Sequence, residues 1–551
     1  MYVDFSHLLY FCIVGNLFLD SIPLSHAKPL AQSVSTYPTS AVFGLDGLAS
    51  TSGFVQQCKS RKVQSSRFHG LLRTRDASSR AEDVKKGFLH AWNAYQQNTF
   101  GADEIDPMTL EPKTTRNGWG ATMVDGLDTL WIMGLHDQFD AVKEKVAKLN
   151  FRKGGGQLAK VFETNIRYVG GLISAYELSN DDVFLKKAKE LADVLMDAFD
   201  TPTGVPWQML EVETGKGSSE GGSGSSNNLA EIGSYQMEFF RLSQLTKDPK
   251  YHQAAQKVID VILKNKPGEV PSYNVDGLYP TGFDTMSGKF TGGKASWGAL
   301  GDSFYEYLIK TWYLSDFGLK RNLDMWNTSF DAFQKHIATK GVDDRMYMGL
   351  SDGKDFTSIQ DTFTCFAPGT IALAGKLLDQ KDSLDLAIKL GEACYNTFSS
   401  MPTNLGAESI GFLPKGSNPN YSGLSSTERD QVKKHGFYNE NASYLLRPEV
   451  IESIFYLHRI TGDSKYQEWA WNIWNGIKKN CKVDGGYVGI KNVQGGKSSG
   501  IIPNQESFVF AETFKYLYLI FSPSEISLDD YVFTTEAHPF KRNIPFNGSF
   551  S

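Results

Sequence analysis

The chain has 551 residues, 41% hydrophobic and 13% aromatic, with a formal net charge of −6. These are the proportions of a globular protein with a sizeable core, and without a basic surplus they exclude nucleic acid as a partner. Length alone allows about three domains or one large helical barrel, so the organisation has to be read along the chain.

Residues 8–19, LLYFCIVGNLFL, form an apolar run too short to span a bilayer comfortably, and the small-residue stretch SHAK follows at 25–28. The pattern predicts a secretory signal over residues 1–27. MYVDFSH carries no Lys or Arg, so an uncleaved signal anchor is the alternative, and only in that case does the chain meet a membrane. Either reading places the protein in the secretory pathway, in the Golgi or ER lumen or outside the cell. Sequons at Asn327, Asn420, Asn441 and Asn547 agree. Residues 28–80, rich in Ser, Thr, Gln and Arg, read as a poorly ordered stem, and residues 81–545 as one folded domain.

From SRAEDVKKGFLHAWNAYQQNTF onward a helical period recurs. Each unit is an amphipathic helix, a polar turn with Asp and a second helix, with turns near residues 181, 248, 316, 380 and 463. The fold class is all-α, with short β elements in loops. Repeated hairpins either stack as an open solenoid or curl into a toroid, and the long Gly/Ser/Asn loops at 218–228 and 414–423 favour a toroid with elaborated loops at one rim. Cys365 and Cys394 each lie in an apolar helix-like segment, which predicts a disulfide between neighbouring helices, the alternative being two inert buried thiols.

Several helices expected on the inside begin with acids set among apolar residues. VFETNIRYVGGLISAY carries Glu163 and Arg167, ALGDSFYEYLIKTWYL carries Asp302 and Glu306, LLRPEVIESIFYLHRI carries Glu449 and Glu452, and PNQESFVFAETFKYLYLIF carries Glu506 and Glu512. One such pair is explained by capping, since a carboxylate in the first turn meets the positive end of the helix dipole. Recurrence at equivalent places is not, because alternate helices of a toroid run parallel and gather their first turns at one mouth. Carboxyls with proton affinities pushed apart suit glycosidic bond cleavage, in which one protonates the leaving oxygen and another activates water. Phe162, Trp297, Phe304, Tyr444 and Phe508 are candidates for an apolar surface against a sugar ring.

Seven ordered stretches, RNGWGATMVDGLDTLWIMGL, VFETNIRYVGGLISAY, GDSFYEYLIKTW, CFAPGTIAL, LLRPEVIESIFYLHRITGD, ESFVFAETFKYLYLIF and TTEAHPF, resemble the class I α-1,2-mannosidases of glycoside hydrolase family 47 over about residues 80 to 540. The resemblance implies an (α/α)7 barrel that removes α-1,2-linked mannose from high-mannose N-glycans with inversion and a bound Ca²⁺, and a monomer. It implies catalytic roles for Glu163, Asp302, Glu449 and, in MPTNLGAESIGF, Glu408. It assigns Thr535 of TTEAHPF to Ca²⁺, with Glu452, Glu506, Glu512 and Glu536 holding the surrounding water, and Arg167, Leu300, Arg447, Glu452, Glu506 and Glu512 to the substrate. The Cys365–Cys394 pair also matches the family's disulfide. Two departures stand out. Many members have His where this chain has Thr362, and Leu300 occupies a position where Arg marks single-mannose trimming and Leu marks broader trimming. The alternative is a mannose-binding quality-control protein on the same barrel, with little or no catalysis.

Overall fold

The computed structural model describes residues 51–66, 75–222, 224–417, 423–522 and 526–542. The signal or anchor segment, most of the stem, and the sequons at Asn420 and Asn547 lie outside these residues. The chain divides into two units, Met1–Phe54 and Val55–Ser551, and the second contains the helical barrel.

Among the described residues, fourteen helices carry the architecture: α1 (Arg75–Asn98), α2 (Leu127–Ile132), α3 (His136–Val146), α4 (Gly170–Ser179), α5 (Asp182–Leu195), α6 (Gln236–Thr246), α7 (Lys250–Leu263), α8 (Asp302–Leu314), α9 (Lys320–His336), α10 (Ala367–Leu378), α11 (Lys381–Ser399), α12 (Glu449–Thr461), α13 (Lys465–Asn480) and α14 (Phe514–Phe521). Even-numbered helices form the inner ring. Residues 450–460 of α12 are all buried, as are residues 303–314 of α8, whereas α5 and α7 alternate buried and exposed positions in the manner of an outer layer. Each inner helix packs on the outer helix that follows it, and α14 packs on α1, which closes an (α/α)7 barrel.

The expected turns fall between the predicted partners because a residue that tolerates a left-handed backbone stands at the end of the inner helix. Asn180, Lys247, Asp379 and Gly462 take φ of 58°, 62°, 61° and 69°. These tight turns form the base. The longer loops at the other rim hold three-stranded antiparallel sheets (159–160 with 209–211 and 216–218; 226–228 with 282–284 and 289–292; 359–361 with 409–412 and 437–441) and lead into the first turns of inner helices.

A hairpin, Tyr531–Phe533 paired with Pro539–Lys541, runs between the inner helices. Phe533 packs on Phe455 and Tyr516, Ser174 donates to the Pro539 carbonyl, and the Lys541 N–H donates to Glu177. Its turn carries residues 534–538 toward the acid-bearing helix starts. Gly170 is required here, since a Cβ at that position would lie 2.8 Å from the His538 ring.

Part of the segment expected to be an unstructured stem is folded. After helix Thr51–Ser60, the Val63 N–H donates to Asp529 at 2.6 Å, the Ser65 N–H to the Arg459 carbonyl at 2.8 Å, and the Arg61 guanidinium to the Leu377 carbonyl at 2.8 Å. Backbone groups make most of these bonds, so a polar composition conceals them. The Cys365–Cys394 disulfide is present, with Cα atoms 5.9 Å apart, and joins the approach to α10 with α11. Cys58 and Cys481 are buried free thiols. Among the described residues no helix is long and apolar enough to cross a membrane.

Candidate active site

α12 starts at Glu449, one residue after Pro448, whose carbonyl accepts the first helical bond from the Glu452 N–H at 2.8 Å. α8 likewise starts at Asp302. Two inner helices are entered through a wide π turn, Asn165–Val169 before α4 and Val509–Thr513 before α14, and these turns hold Arg167 and Glu512. Parallel inner helices bring all of these first turns to one mouth.

On the side formed by α4 and the loop at 115–121, the acids are paired. Arg167 Nε lies 2.7 Å from Glu163, and the same guanidinium reaches Glu536 and, at 3.4 Å, Asp125. Arg116 Nη2 stands 3.6 Å from Glu163 and 3.5 Å from Glu506. Burial favours the protonated form of Glu163, but the charges of Arg167 and Arg116 outweigh it and hold the carboxyl down to about 2. Glu163 and Glu506 keep 26% and 30% side-chain exposure, so both are open to a substrate.

Across the mouth the balance reverses. Burial pushes Asp302 up to about 8, offset in part by the Ser303 N–H and reinforced by Asp361, Glu306 and Glu449. Burial likewise takes Glu449 to about 7, with Arg447 opposing the rise and Glu408 and Asp361 adding to it. Glu452 reaches about 8, and Glu512 is raised well above the carboxylate range by burial next to Glu536, Glu452 and Glu449. Lys310, fully buried, pairs with Glu306 and lies 3.5 Å from Glu452. Arg447 is already bound to Glu408, whose other oxygen accepts the Leu445 N–H at 3.0 Å. Glu449 Oε2 is a buried oxygen without a hydrogen-bond partner among the described residues.

Thr535 sits at the tip of the internal hairpin, where its N–H meets the Tyr307 hydroxyl at 3.3 Å, and Tyr307 donates to Glu238 at 2.6 Å. Beneath the tip, His538 bridges Asp128 (2.7 Å) and Asp125 (3.2 Å), and Lys515 binds Asp128 at 2.7 Å, all fully buried. The tip is thus held from below.

Leu300 enters α8 with a left-handed backbone, φ 70°, and its carbonyl accepts the Ala230 N–H at 2.9 Å. Thr362 is buried, donating its hydroxyl to the Ala407 carbonyl at 2.7 Å and its N–H to the Glu408 carbonyl at 2.8 Å, so it braces the segment at Glu408 that leads into strand Ser409–Phe412.

The aromatic expectation needs correction. Trp297, Phe304 and Tyr444 are core residues at 1%, 0% and 0% exposure, because their rings pack on Phe333, Tyr279 and Phe398 respectively. Phe162 is half-buried, and Phe508 lies between the guanidinium groups of Arg167 and Arg447, about equidistant at 6.0 and 5.9 Å. Sequence reading also missed Arg116, Asp125, Lys310 and Asp361 as parts of the site. Arg116 and Asp125 stand inside the RNGWGATMVDGLDT stretch, and Lys310 follows Glu306 by one turn on an otherwise apolar helix. Asp361, which accepts the Ala299 and Thr364 N–H groups, has no local signal.

Comparison with known proteins decides the family: residues 87–542 match the sequence profile described as Glycosyl hydrolase family 47. The chain belongs to glycosyl hydrolase family 47. It is 40% identical over 477 residues to mannosyl-oligosaccharide 1,2-alpha-mannosidase MNS1 of Arabidopsis thaliana, covering 85% of this chain and 80% of the relative. It is 36% identical over 493 residues to mannosyl-oligosaccharide alpha-1,2-mannosidase 1B of Aspergillus oryzae, covering 86% and 94%. The solved structure of the alpha-1,2-mannosidase from Trichoderma reesei superposes with a TM-score of 0.80 at 33% identity, covering 84% of this chain and 99% of that one. All seven stretches that carry the resemblance, with the acids they contribute, fall inside the family 47 match.

Proposed function

We propose that this family 47 glycosidase hydrolyses terminal α-1,2-linked mannose from high-mannose N-glycans with inversion, acting as a monomer on glycoproteins of the secretory pathway. The observation that carries the reading is the split among carboxyls at one mouth: Glu163 is kept ionised by two arginines, while Asp302 and Glu449 are poised to keep a proton near neutral pH. Asp302 or Glu449 then supplies the proton that the leaving oxygen requires, and Glu163 the charge that draws a proton from attacking water. Glu408, clamped by Arg447, and Phe508 orient the sugar, and the carbonyl-bound Leu300 borders the entry without a donor of its own.

The acid-rich side fits a hard divalent cation, Ca²⁺. It has more carboxyls than cations and an orphaned buried oxygen on Glu449. Thr535 would hold the ion through its hydroxyl and carbonyl oxygens, with Glu452 and Glu512 from this side and Glu506 and Glu536 from the arginine-paired side holding the water around it. When bound, the cation offsets the crowded negative charge and engages sugar hydroxyls. The domain at 81–545 is the catalytic unit of this proposal, with 1–27 as its signal or anchor.

The test follows the anomeric proton signals during hydrolysis of a nine-mannose N-glycan. β-Mannose is expected as the first product, from α-1,2 linkages. Release from α-1,6 linkages alone, or α-mannose appearing first, contradicts the proposal.

A further inference from the structure

The loop RNGWGA at 116–121 is an anion cradle, and the chain fills it with its own carboxylate. Asn117, Gly118 and Gly120 take φ of 64°, 72° and 76°, a run of left-handed residues that turns successive N–H groups to one point, as in backbone nests that bind phosphate or carboxylate. At that point lies Asp103, with no solvent exposure. Its Oδ2 accepts the N–H groups of Thr115 (3.1 Å), Arg116 (2.7 Å) and Gly118 (2.8 Å). Its Oδ1 accepts those of Gly120 (2.9 Å) and Ala121 (3.2 Å) and the Tyr168 hydroxyl (3.2 Å). The Tyr168 hydroxyl also lies 3.3 Å from the Arg116 carbonyl, so both backbone polar groups of Arg116 are fixed. From this clamped backbone the guanidinium projects between Glu163 and Glu506.

We infer that Asp103 is a positioning residue for the hydrolysis: by filling the nest it fixes the backbone from which Arg116 reaches Glu163 and Glu506, and so holds the Glu163 carboxylate in place at the mouth. The inference rests on the role proposed for Glu163. Nothing but a charged acceptor suits the cradle, because five N–H donors converge on two oxygens and an amide in that place would set its own N–H against one group of them.

The charges that face Glu163 are Arg167 from its own helix, Arg116 from the nest, and Lys160, itself paired with Glu220. Among acids, Glu506 and Glu104 face it across Arg116, and Glu231 and Glu536 lie close enough to feel its charge. Of the cations, Arg116 is the one whose backbone Asp103 holds.

The experiment is the pH dependence of kcat/KM on a nine-mannose N-glycan for the full chain, Asp103→Asn, Arg116→Gln and the double variant. Both single variants should bring the acidic limb up by about one pH unit, the size of effect one lost charge partner produces. The double variant should show the shift of Arg116→Gln and no more, since Asp103 acts through Arg116. Should Asp103→Asn not fold, Tyr168→Phe, which loosens Asp103 and the Arg116 carbonyl together, is expected to show a smaller shift in the same direction. A limb unmoved in Asp103→Asn and Tyr168→Phe, with only melting temperature lowered, overturns the inference. An additive double variant does the same. An inactive parent chain would instead overturn the functional reading on which the inference depends.

Discussion

On the side of the mouth built from the π turn before α4 and the nest loop, four acids meet a guanidinium: Glu163 has two, Glu536 and Asp125 share Arg167, and Glu506 has Arg116. On the side built from α8, α12 and the turn before α14, the acids Asp302, Glu306, Glu449, Glu452 and Glu512 have Lys310 within reach of two of them. Burial is common to both sides, so burial does not set the difference. Counter-charge does, and it converts chemically identical groups into one carboxylate that stays ionised and others that keep a proton. On the paired side Glu163 and Asp125 are held low, although burial still raises Glu536 well above the carboxylate range in spite of Arg167, and the unpaired side relies on protons or a cation brought from outside.

The largest effect is expected where the unpaired side meets the sugar. Asp302→Asn should lower kcat by about 10²- to 10⁴-fold, the range attributed to a positioned general acid or base. A loss below threefold would remove Asp302 from the chemistry and weaken the contrast between the two sides.

Next comes the cation itself. Ca²⁺ at about a hundred times its Kd should stabilise the parent by about 2.7 kcal/mol, since it binds the folded state alone. Thr535→Ala should lose most of the resulting rise in melting temperature, measured by calorimetry. Equal shifts in variant and parent would detach Thr535 from the metal.

The two sides should also answer pH with opposite sign. The folded-state proton affinity of Glu163 is depressed, so the stability it contributes is present above its unfolded value of about 4.3 and is lost as pH falls toward 2. Asp302 is raised, so its ionisation opposes folding, and stability drops as pH rises from about 4 through 8. Metal-free protein should therefore melt at progressively lower temperature between pH 6 and 8.5, and Asp302→Asn should flatten that slope. A slope identical in the variant would place the proton elsewhere.

The smallest change in overall rate is expected at Leu300, on the rim. Leu offers no hydrogen bond, so the parent should trim several branches with similar ease, whereas Leu300→Arg adds up to five donors. A well-made bond from that charged group discriminates by about 1.5 to 3 kcal/mol, enough to favour one eight-mannose isomer early in a time course. A parent that already stalls at one isomer would show that the Leu300 backbone, not its side chain, governs entry.

The barrel was legible because its signals are local. Helix period, the polar residues at Asn180, Lys247 and Asp379, and the acids in first turns all depend on neighbours a few positions away. The charge pairing was not. Arg116 meets Glu506 across 390 residues and Lys310 meets Glu452 across 142, distances at which no periodicity speaks. Trp297 misled for the same reason: an aromatic beside an acid in sequence turned away from it in space, into a cluster with Tyr305 and Phe333. The folded stretch at 61–65 escaped notice because backbone atoms, which composition does not describe, hold much of it in place.

Whether the unpaired side works with a cation is tested most directly by mannose release from a nine-mannose N-glycan after exhaustive chelation, followed by return of Ca²⁺. Release should fall to background in chelator and recover on adding Ca²⁺ in excess. Undiminished release from metal-free protein would contradict the account at its centre.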